Sequence, residues 1–245
     1  MFFFSKSVYL IDFLDGITDI HNHILPGIDD GSPDIDTTIE MIRAMKALGL
    51  RNCIATPHTM EDYYGNDKHK IESVFKITTK ELQPTDGRDF IISAASEYMM
   101  DSKFQDIIDN EEFLCIHKNY LLTELSYFQR PDNLEELVFN MSQKGLIPIL
   151  AHPERYRYIK SLESFRDLKN RGFELQLNLL SLSTHYGDQA FKKSKLLLEN
   201  DMYECLGTDA HKISHLEKIK EIKIKEKISG QIKKLVENHK LRFNL

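Results

Sequence analysis

The sequence predicts an α/β fold, a distorted seven-stranded β/α barrel. Three observations carry that prediction. Short runs of β-favouring apolar residues alternate with apolar stripes at helical spacing along most of the 245 residues. The segments between the seven strands are long enough for the crossovers that parallel strands require. Polar side chains able to do chemistry fall at the C-terminal ends of the strands, the face on which such barrels build their sites. Seven strands rather than eight make it a variant of the TIM-like barrel, and the length suffices for one domain, residues 1–245, with a substantial core.

The elements follow in order. The first strand is Ile17–Asn22, running into Pro26-Gly27-Ile28-Asp29-Asp30-Gly31. Gly31-Ser32-Pro33 opens a helix, with Ser32 placed to cap it and Pro33 at a tolerated first-turn position. Ile35, Ile39, Ile42, Met45 and Leu48 form its apolar stripe, and Gly49 its stop. The second strand, Asn52–Thr56, ends in Pro57-His58. A helix over Lys68–Leu82 and a turn at Pro84-Thr85-Asp86-Gly87 lead to the third strand, Asp89–Ser96, ending at Glu97. Met99–Cys115 is irregular, with a short helix near Phe104–Ile108. The fourth strand, Tyr120–Thr123, ends at Glu124, and the helix Asn133–Lys144 stops at Gly145. The fifth strand, Ile147–Ala151, ends in His152-Pro153 and precedes a helix over Ser161–Arg171. The sixth, Glu174–Leu179, precedes a helix over Asp188–Asn200, and the seventh, Tyr203–Gly207, runs into Thr208-Asp209-Ala210-His211. Residues 1–16 read as an N-terminal extension and 212–245 as a C-terminal helical segment. Within the latter, Ser214–Lys240 forms one or two amphipathic helices with a solvated basic face.

Composition narrows the function classes. A formal net charge of −6 gives no support to nucleic-acid binding. Cys53, Cys115 and Cys205 lie far apart, with no CxxC pair, which points to buried thiols in a reducing cytoplasm. The run Phe2-Phe3-Phe4 is too short for a signal core or a membrane span and reads as a mobile or docking terminus; no other segment approaches spanning length.

His21 and His23, two apart on a strand, leave the same face. Asp30 follows in the next loop. His58, Glu97, Glu124, His152, Asp209 and His211 then arrive at later strand ends. All nine are donors for hard or borderline cations. Each has an ordinary alternative: His58 or His152 hydrogen-bonded in a core, Glu97 or Glu124 ion-paired, Asp209 capping a helix. Their convergence favours metal, because several carboxylates buried together without cations are costly. Asp19, on the same face, is either a partner of the histidines or a structural polar residue. His69, His117, His185, His215 and His239 fall off the strand ends and read as surface or loop residues. Tyr63, Tyr64, Tyr98, Tyr127 and Tyr156 read as loop residues near the mouth.

The motifs DIHNHILPGIDDG (Asp19–Gly31), ATPH (Ala55–His58), SEY (Ser96–Tyr98), TELSY (Thr123–Tyr127), AHPERY (Ala151–Tyr156) and GTDAH (Gly207–His211) resemble the PHP (polymerase and histidinol phosphatase) superfamily. Within it they are most similar to the bacterial capsule and exopolysaccharide tyrosine-protein phosphatases of the CpsB/YwqE type. The resemblance implies a barrel of the PHP type holding three divalent ions, with manganese favoured over iron, zinc or magnesium. His21, His23, Glu97 and Asp209 would hold one ion, and Asp30, His58 and His211 a second. Glu97, Glu124 and His152 would hold the third, with Glu97 bridging. Arg155 would bind the phosphoryl group, and a metal-bridging hydroxide would attack phosphorus. The implied substrate is phosphotyrosine on a protein, a bacterial tyrosine kinase tail, in the cytoplasm. No cysteine nucleophile is needed, and none has the Cys-x5-Arg context: Thr59, Leu121 and His211 stand six residues after Cys53, Cys115 and Cys205. Other readings remain: a small-molecule phosphatase such as a histidinol phosphatase, a nuclease, or a metal-holding scaffold without turnover.

Overall fold

The computed structural model describes residues 6–244, so Phe2, Phe3 and Phe4 lie outside the described residues. The strands are β1 (Ser7–Tyr9), β2 (Thr18–Asp19), β3 (Asn52–Ala55), β4 (His58–Thr59), β5 (Ile91–Ala94), β6 (Glu97–Met99), β7 (Tyr120–Glu124), β8 (Ile147–Leu150), β9 (Glu174–Asn178), β10 (Cys205–Gly207) and β11 (Lys223–Lys225). The helices are α1 (Ile35–Ala47), α2 (Lys68–Leu82), α3 (Phe104–Asp109), α4 (Leu134–Gln143), α5 (Leu162–Asn170), α6 (Asp188–Glu199), α7 (Ile213–Lys220) and α8 (Ser229–Phe243).

The result is a mixed α/β fold whose parallel strands curve into a half-barrel. The expected single seven-stranded ladder is divided. A six-stranded parallel sheet runs β10-β9-β8-β7-β6-β4, and a three-stranded parallel sheet runs β2-β3-β5. The division has a local cause at Pro57, which has no N–H to donate. Residues 56–57 lie outside the strands, and the Pro57 carbonyl accepts from Glu97 N at 3.0 Å and Ser96 Oγ at 2.8 Å. The second and third predicted strands end at Ala55 and Ala94, and two further short strands follow, beginning at His58 and Glu97.

Helix α1 is capped by Asp34, whose carboxylate accepts from Thr37 N at 2.8 Å, and not by Ser32. Ser32 is buried instead, its hydroxyl donating to the Asp34 carbonyl at 2.9 Å. Gly49 (φ +84°) and Gly145 (φ +70°) follow α1 and α4 as expected. Between sheets and helices lies one large apolar core, including Met41, Met45, Leu121, Leu150, Leu175 and Leu197.

The described residues of both predicted extensions are part of the packing. β1 pairs antiparallel with β11, Val8 opposite Ile224. The C-terminal segment is two helices separated by that strand, and α8 packs against the N-terminal ends of the parallel strands. Phe243 is fully buried in a small cluster with Ile20, Ile54, Leu122 and Cys205, and its ring meets Tyr120 edge-on at 5.4 Å. No helix among the described residues is long and apolar enough to cross a membrane.

Candidate metal centre

The strand ends meet in one buried cluster. His21 and His23 point their Nε2 atoms at the same two carboxylates. His21 Nε2 lies 3.1 Å from Glu97 Oε2 and 3.4 Å from Asp209 Oδ1. His23 Nε2 lies 3.4 Å from each. These four side chains are buried and could hold one ion. Asp30 Oδ1 approaches His58 Nε2 at 3.6 Å and His211 Nε2 at 3.5 Å, and with His23 they make a second group able to hold an ion. A third group joins His58 Nδ1 to Glu97 Oε2 at 3.1 Å and Glu124 Oε1 at 3.0 Å. His152 sits beside this group: its Nε2 lies 2.9 Å from Glu97 Oε1 and 3.9 Å from Glu124 Oε2. All nine expected residues are therefore brought together. Glu97 belongs to two of these groups, and His58, not His152, lies in the tight third group.

The fit to cations is visible in what these atoms do not do. His21 Nε2, His23 Nε2, His58 Nδ1, Glu97 Oε2 and Glu124 Oε1 are buried and make no hydrogen bond, although they approach one another within 3.1–3.4 Å in the first group. Buried polar atoms are normally paired. Lone pairs aimed at a shared point, rather than at each other, suit a cation between them.

The outer nitrogens are fixed. His21 Nδ1 bonds Gln176 Oε1 at 3.0 Å, and His23 Nδ1 bonds Asp29 Oδ2 at 2.7 Å. A proton on each Nδ1 leaves each Nε2 lone pair free to face the centre. Asp29 also accepts from His58 N at 3.0 Å and Gly31 N at 2.9 Å, tying the first loop to β4. Gly31 allows that loop to close, since a Cβ there would stand 2.0 Å from the His23 carbonyl oxygen. His152 (φ +37°) and Asp209 (φ +50°) hold left-handed backbone, a conformation that costs a non-glycine residue about 1–2 kcal/mol.

Arg155, in the short turn after β8, donates to Asp209 Oδ2 at 2.7 Å. Its guanidinium lies between two aromatic rings, 4.8 Å from the Tyr127 centroid and 4.2 Å from that of Tyr186. Asn178 Nδ2 donates to the same Asp209 oxygen at 2.7 Å. Burial by itself would lower the pKa of His21, but Glu97 and Asp209 outweigh it and raise the value to about 9. Burial likewise opposes ionisation of Glu97, and His21 and His58 reverse it, holding the carboxyl well below its ordinary range.

The capsular polysaccharide synthesis family CpsB/CapC matches residues 17–239. The chain belongs to the CpsB/CapC family. Relatives agree over most of their length. Tyrosine-protein phosphatase YwqE of Bacillus subtilis is 31% identical over 196 residues, covering 80% of this chain and 77% of the relative. Tyrosine-protein phosphatase CpsB of Streptococcus pneumoniae is 23% identical, covering 80% and 83%. A crystal structure from work on YwqE and CpsB, described as unique metal-dependent tyrosine phosphatases, superposes with a TM-score of 0.78 at 29% identity over 93% of this chain and 94% of that one. A variant organophosphorus hydrolase from Deinococcus radiodurans shares the fold alone, with a TM-score of 0.51 at 13% identity over 97% and 95%.

Several residues of this CpsB/CapC-family site were not singled out from the sequence. Gln176 and Asn178 alternate on β9 and face the centre, although that strand supplies none of the nine. Two amides at i and i+2, alternating with Leu175 and Leu177, are the available signal. Asp29 was hidden beside Asp30. Asp19 is structural: its carboxylate accepts from Thr208 N at 3.0 Å and Asn22 Nδ2 at 3.2 Å, joining β2 to the loop after β10. Tyr98 and Tyr156 are buried rather than in the mouth, bonding Leu114 N at 2.8 Å and Leu125 N at 3.0 Å. His215 and His239 are also buried, not surface residues.

Proposed function

We propose that this chain hydrolyses phosphotyrosine on a protein, with three divalent ions, manganese foremost, held by His21, His23, Asp30, His58, Glu97, Glu124, His152, Asp209 and His211. The substrate in this reading is the tail of a tyrosine autokinase that controls capsule or exopolysaccharide synthesis, and the setting is the cytoplasm. The scaffold reads as a distorted seven-stranded barrel of the PHP type. In support, His23 N donates to the Ala210 carbonyl at 3.0 Å and Asp209 N to the His21 carbonyl at 2.8 Å, linking the last strand's end to the first.

The observation that carries the function is the placement of Arg155 against a cluster of cation-facing donors. The donor set of nitrogen and oxygen suits manganese, iron, zinc or magnesium. Bound cations would supply activation of water and neutralisation of phosphoryl charge. The chain's own part is positional. Asp209 and the Tyr127 and Tyr186 rings hold the Arg155 fork, leaving its remaining donors for two charge-assisted bonds to phosphoryl oxygens. Gln176 and Asp29 hold His21 and His23 in the tautomer that presents Nε2 inward.

The deciding experiment combines metal analysis with a substrate panel. Purified protein is expected to bind about three ions and to hydrolyse p-nitrophenyl phosphate and phosphotyrosine peptides when loaded with manganese. Absence of both metal and activity would refute the reading, and faster turnover of histidinol phosphate would redirect it to small molecules. Arg155→Ala is expected to lower kcat/KM by roughly 10²–10³-fold with metal content unchanged, because Asn178 still holds Asp209. Lost metal would contradict the role given to Arg155.

A further inference from the structure

Beside Arg155 opens a cavity of about 360 Å³ that none of the nine residues of the candidate metal centre lines. Arg155, Arg157, Tyr186 and Lys193 line it, together with the first turn of α6. Arg155 and Tyr186 thus belong to both the metal centre and this cavity. Its charge is lopsided. Among the described residues, neither Arg157 nor Lys193 pairs with a carboxylate; Lys193 donates only to the Tyr156 carbonyl. The N-cap of α6 is Gly187, which offers no side-chain acceptor to the N–H groups of the first turn. Two carboxylates also line the cavity. Glu154 is buried with both oxygens engaged, by Asn178 N at 3.2 Å and Tyr203 OH at 3.0 Å. Asp188 is exposed on the rim. Three cationic side chains therefore face a concavity that continues from the phosphoryl-binding arginine.

We propose that this cavity is a subsite for a second anionic side chain of the substrate, flanking the phosphotyrosine in an acidic peptide. The anion is a carboxylate or a second phosphoryl group, and Arg157 and Lys193 are its specificity residues. The proposal rests on the phosphatase reading above. A cation cluster in a partly enclosed groove attracts an anion more strongly than the same charges on an open surface, and salt weakens the attraction.

The test uses metal-loaded full-length protein and four substrates: p-nitrophenyl phosphate and three phosphotyrosine peptides of equal length. One peptide has neutral flanks, one glutamate flanks and one a second phosphotyrosine. The expected result is a KM about five- to tenfold lower for the anionic peptides than for the neutral one, with kcat similar and the advantage shrinking at high salt. A benefit confined to the doubly phosphorylated peptide identifies the anion as a phosphoryl group, and a benefit for both identifies it as any anion. Arg157→Gln and Lys193→Met should each erase most of the difference while leaving turnover of p-nitrophenyl phosphate within about twofold. Arg157→Glu, at an exposed position, should transfer the preference to a peptide with lysine flanks. Equal KM values across the peptides, or an advantage that survives these substitutions, would overturn the subsite while leaving the phosphatase reading intact. No turnover of p-nitrophenyl phosphate would remove that reading and the subsite with it.

Discussion

His21 shows how much of the centre depends on residues that touch no substrate. Its Nδ1 is held by Gln176, and both lie against Gly207. A Cβ at Gly207 would stand 2.0 Å from Gln176 Nε2 and 2.7 Å from His21 Cβ. Gly207→Ala is therefore expected to destabilise the protein by about 1–3 kcal/mol and to turn the His21 ring, read as a lower thermal midpoint together with weaker metal binding. Asp29 holds His23 in the same way. Asp29→Ala should weaken metal affinity by about 10–100-fold while the far-ultraviolet circular dichroism stays unchanged; full metal occupancy at low metal concentration would disprove that role. The nine clustered side chains were legible in the sequence because His, Asp and Glu stand out at strand ends. Their holders were not, since Gln176 and Asn178 are ordinary residues until β9 is seen to carry them beneath His21 and Asp209.

At the scale of elements, α8 carries a consequence for acid stability. His239 is fully buried between β2 and β10, its Nε2 donating to the Thr18 carbonyl at 2.7 Å and its Nδ1 accepting from Leu206 N at 3.3 Å. Burial, with Arg242 and Lys240 nearby, lowers its pKa from 6.5 to about 4. Between those values the unfolded chain holds a proton that the folded chain does not. The His239 contribution is thus fully present above pH 6.5 and falls as pH drops, with the loss complete below about pH 4 and amounting to roughly 3 kcal/mol. Denaturant midpoints against pH should fall less steeply for His239→Gln than for the parent across this window, and parallel curves would exclude the assignment. Phe243→Ala, which empties the plug beneath the strands, is expected to cost about 3–5 kcal/mol in equilibrium unfolding. The sequence placed one or two amphipathic helices here; that the apolar face of α8 covers the starts of the parallel strands follows only from where β2, β7 and β10 begin.

For the whole molecule, the centre is also a crossing point of the chain. Residues from the first loop, from β4, β6 and β7, and from the ends of β8 and β10 meet there, so an ion bound among them links both parallel sheets. Metal binding and folding should be coupled. Chelation is expected to lower the thermal midpoint by about 5 °C or more, with manganese restoring it, as followed by calorimetry. An unchanged midpoint would mean that the cluster is organised without cations.

The sequence by itself determined the alternation of strands and helices over most of the chain, the nine His, Asp and Glu side chains that cluster, and the family. Those features depend on residue type and spacing, which are local properties of the chain. It could not show that the predicted ladder is divided at Pro57, that Asp34 rather than Ser32 caps α1, or that Arg155 is clamped by Asp209, Tyr127 and Tyr186. Those outcomes depend on which distant groups compete for the same hydrogen bonds and the same space. His58 illustrates the difference. Its place after the second strand marked it as a candidate donor, but only the pairing of β4 with β6, which brings it beside Glu97 and Glu124 and within reach of Asp30, sets it between two candidate ion sites.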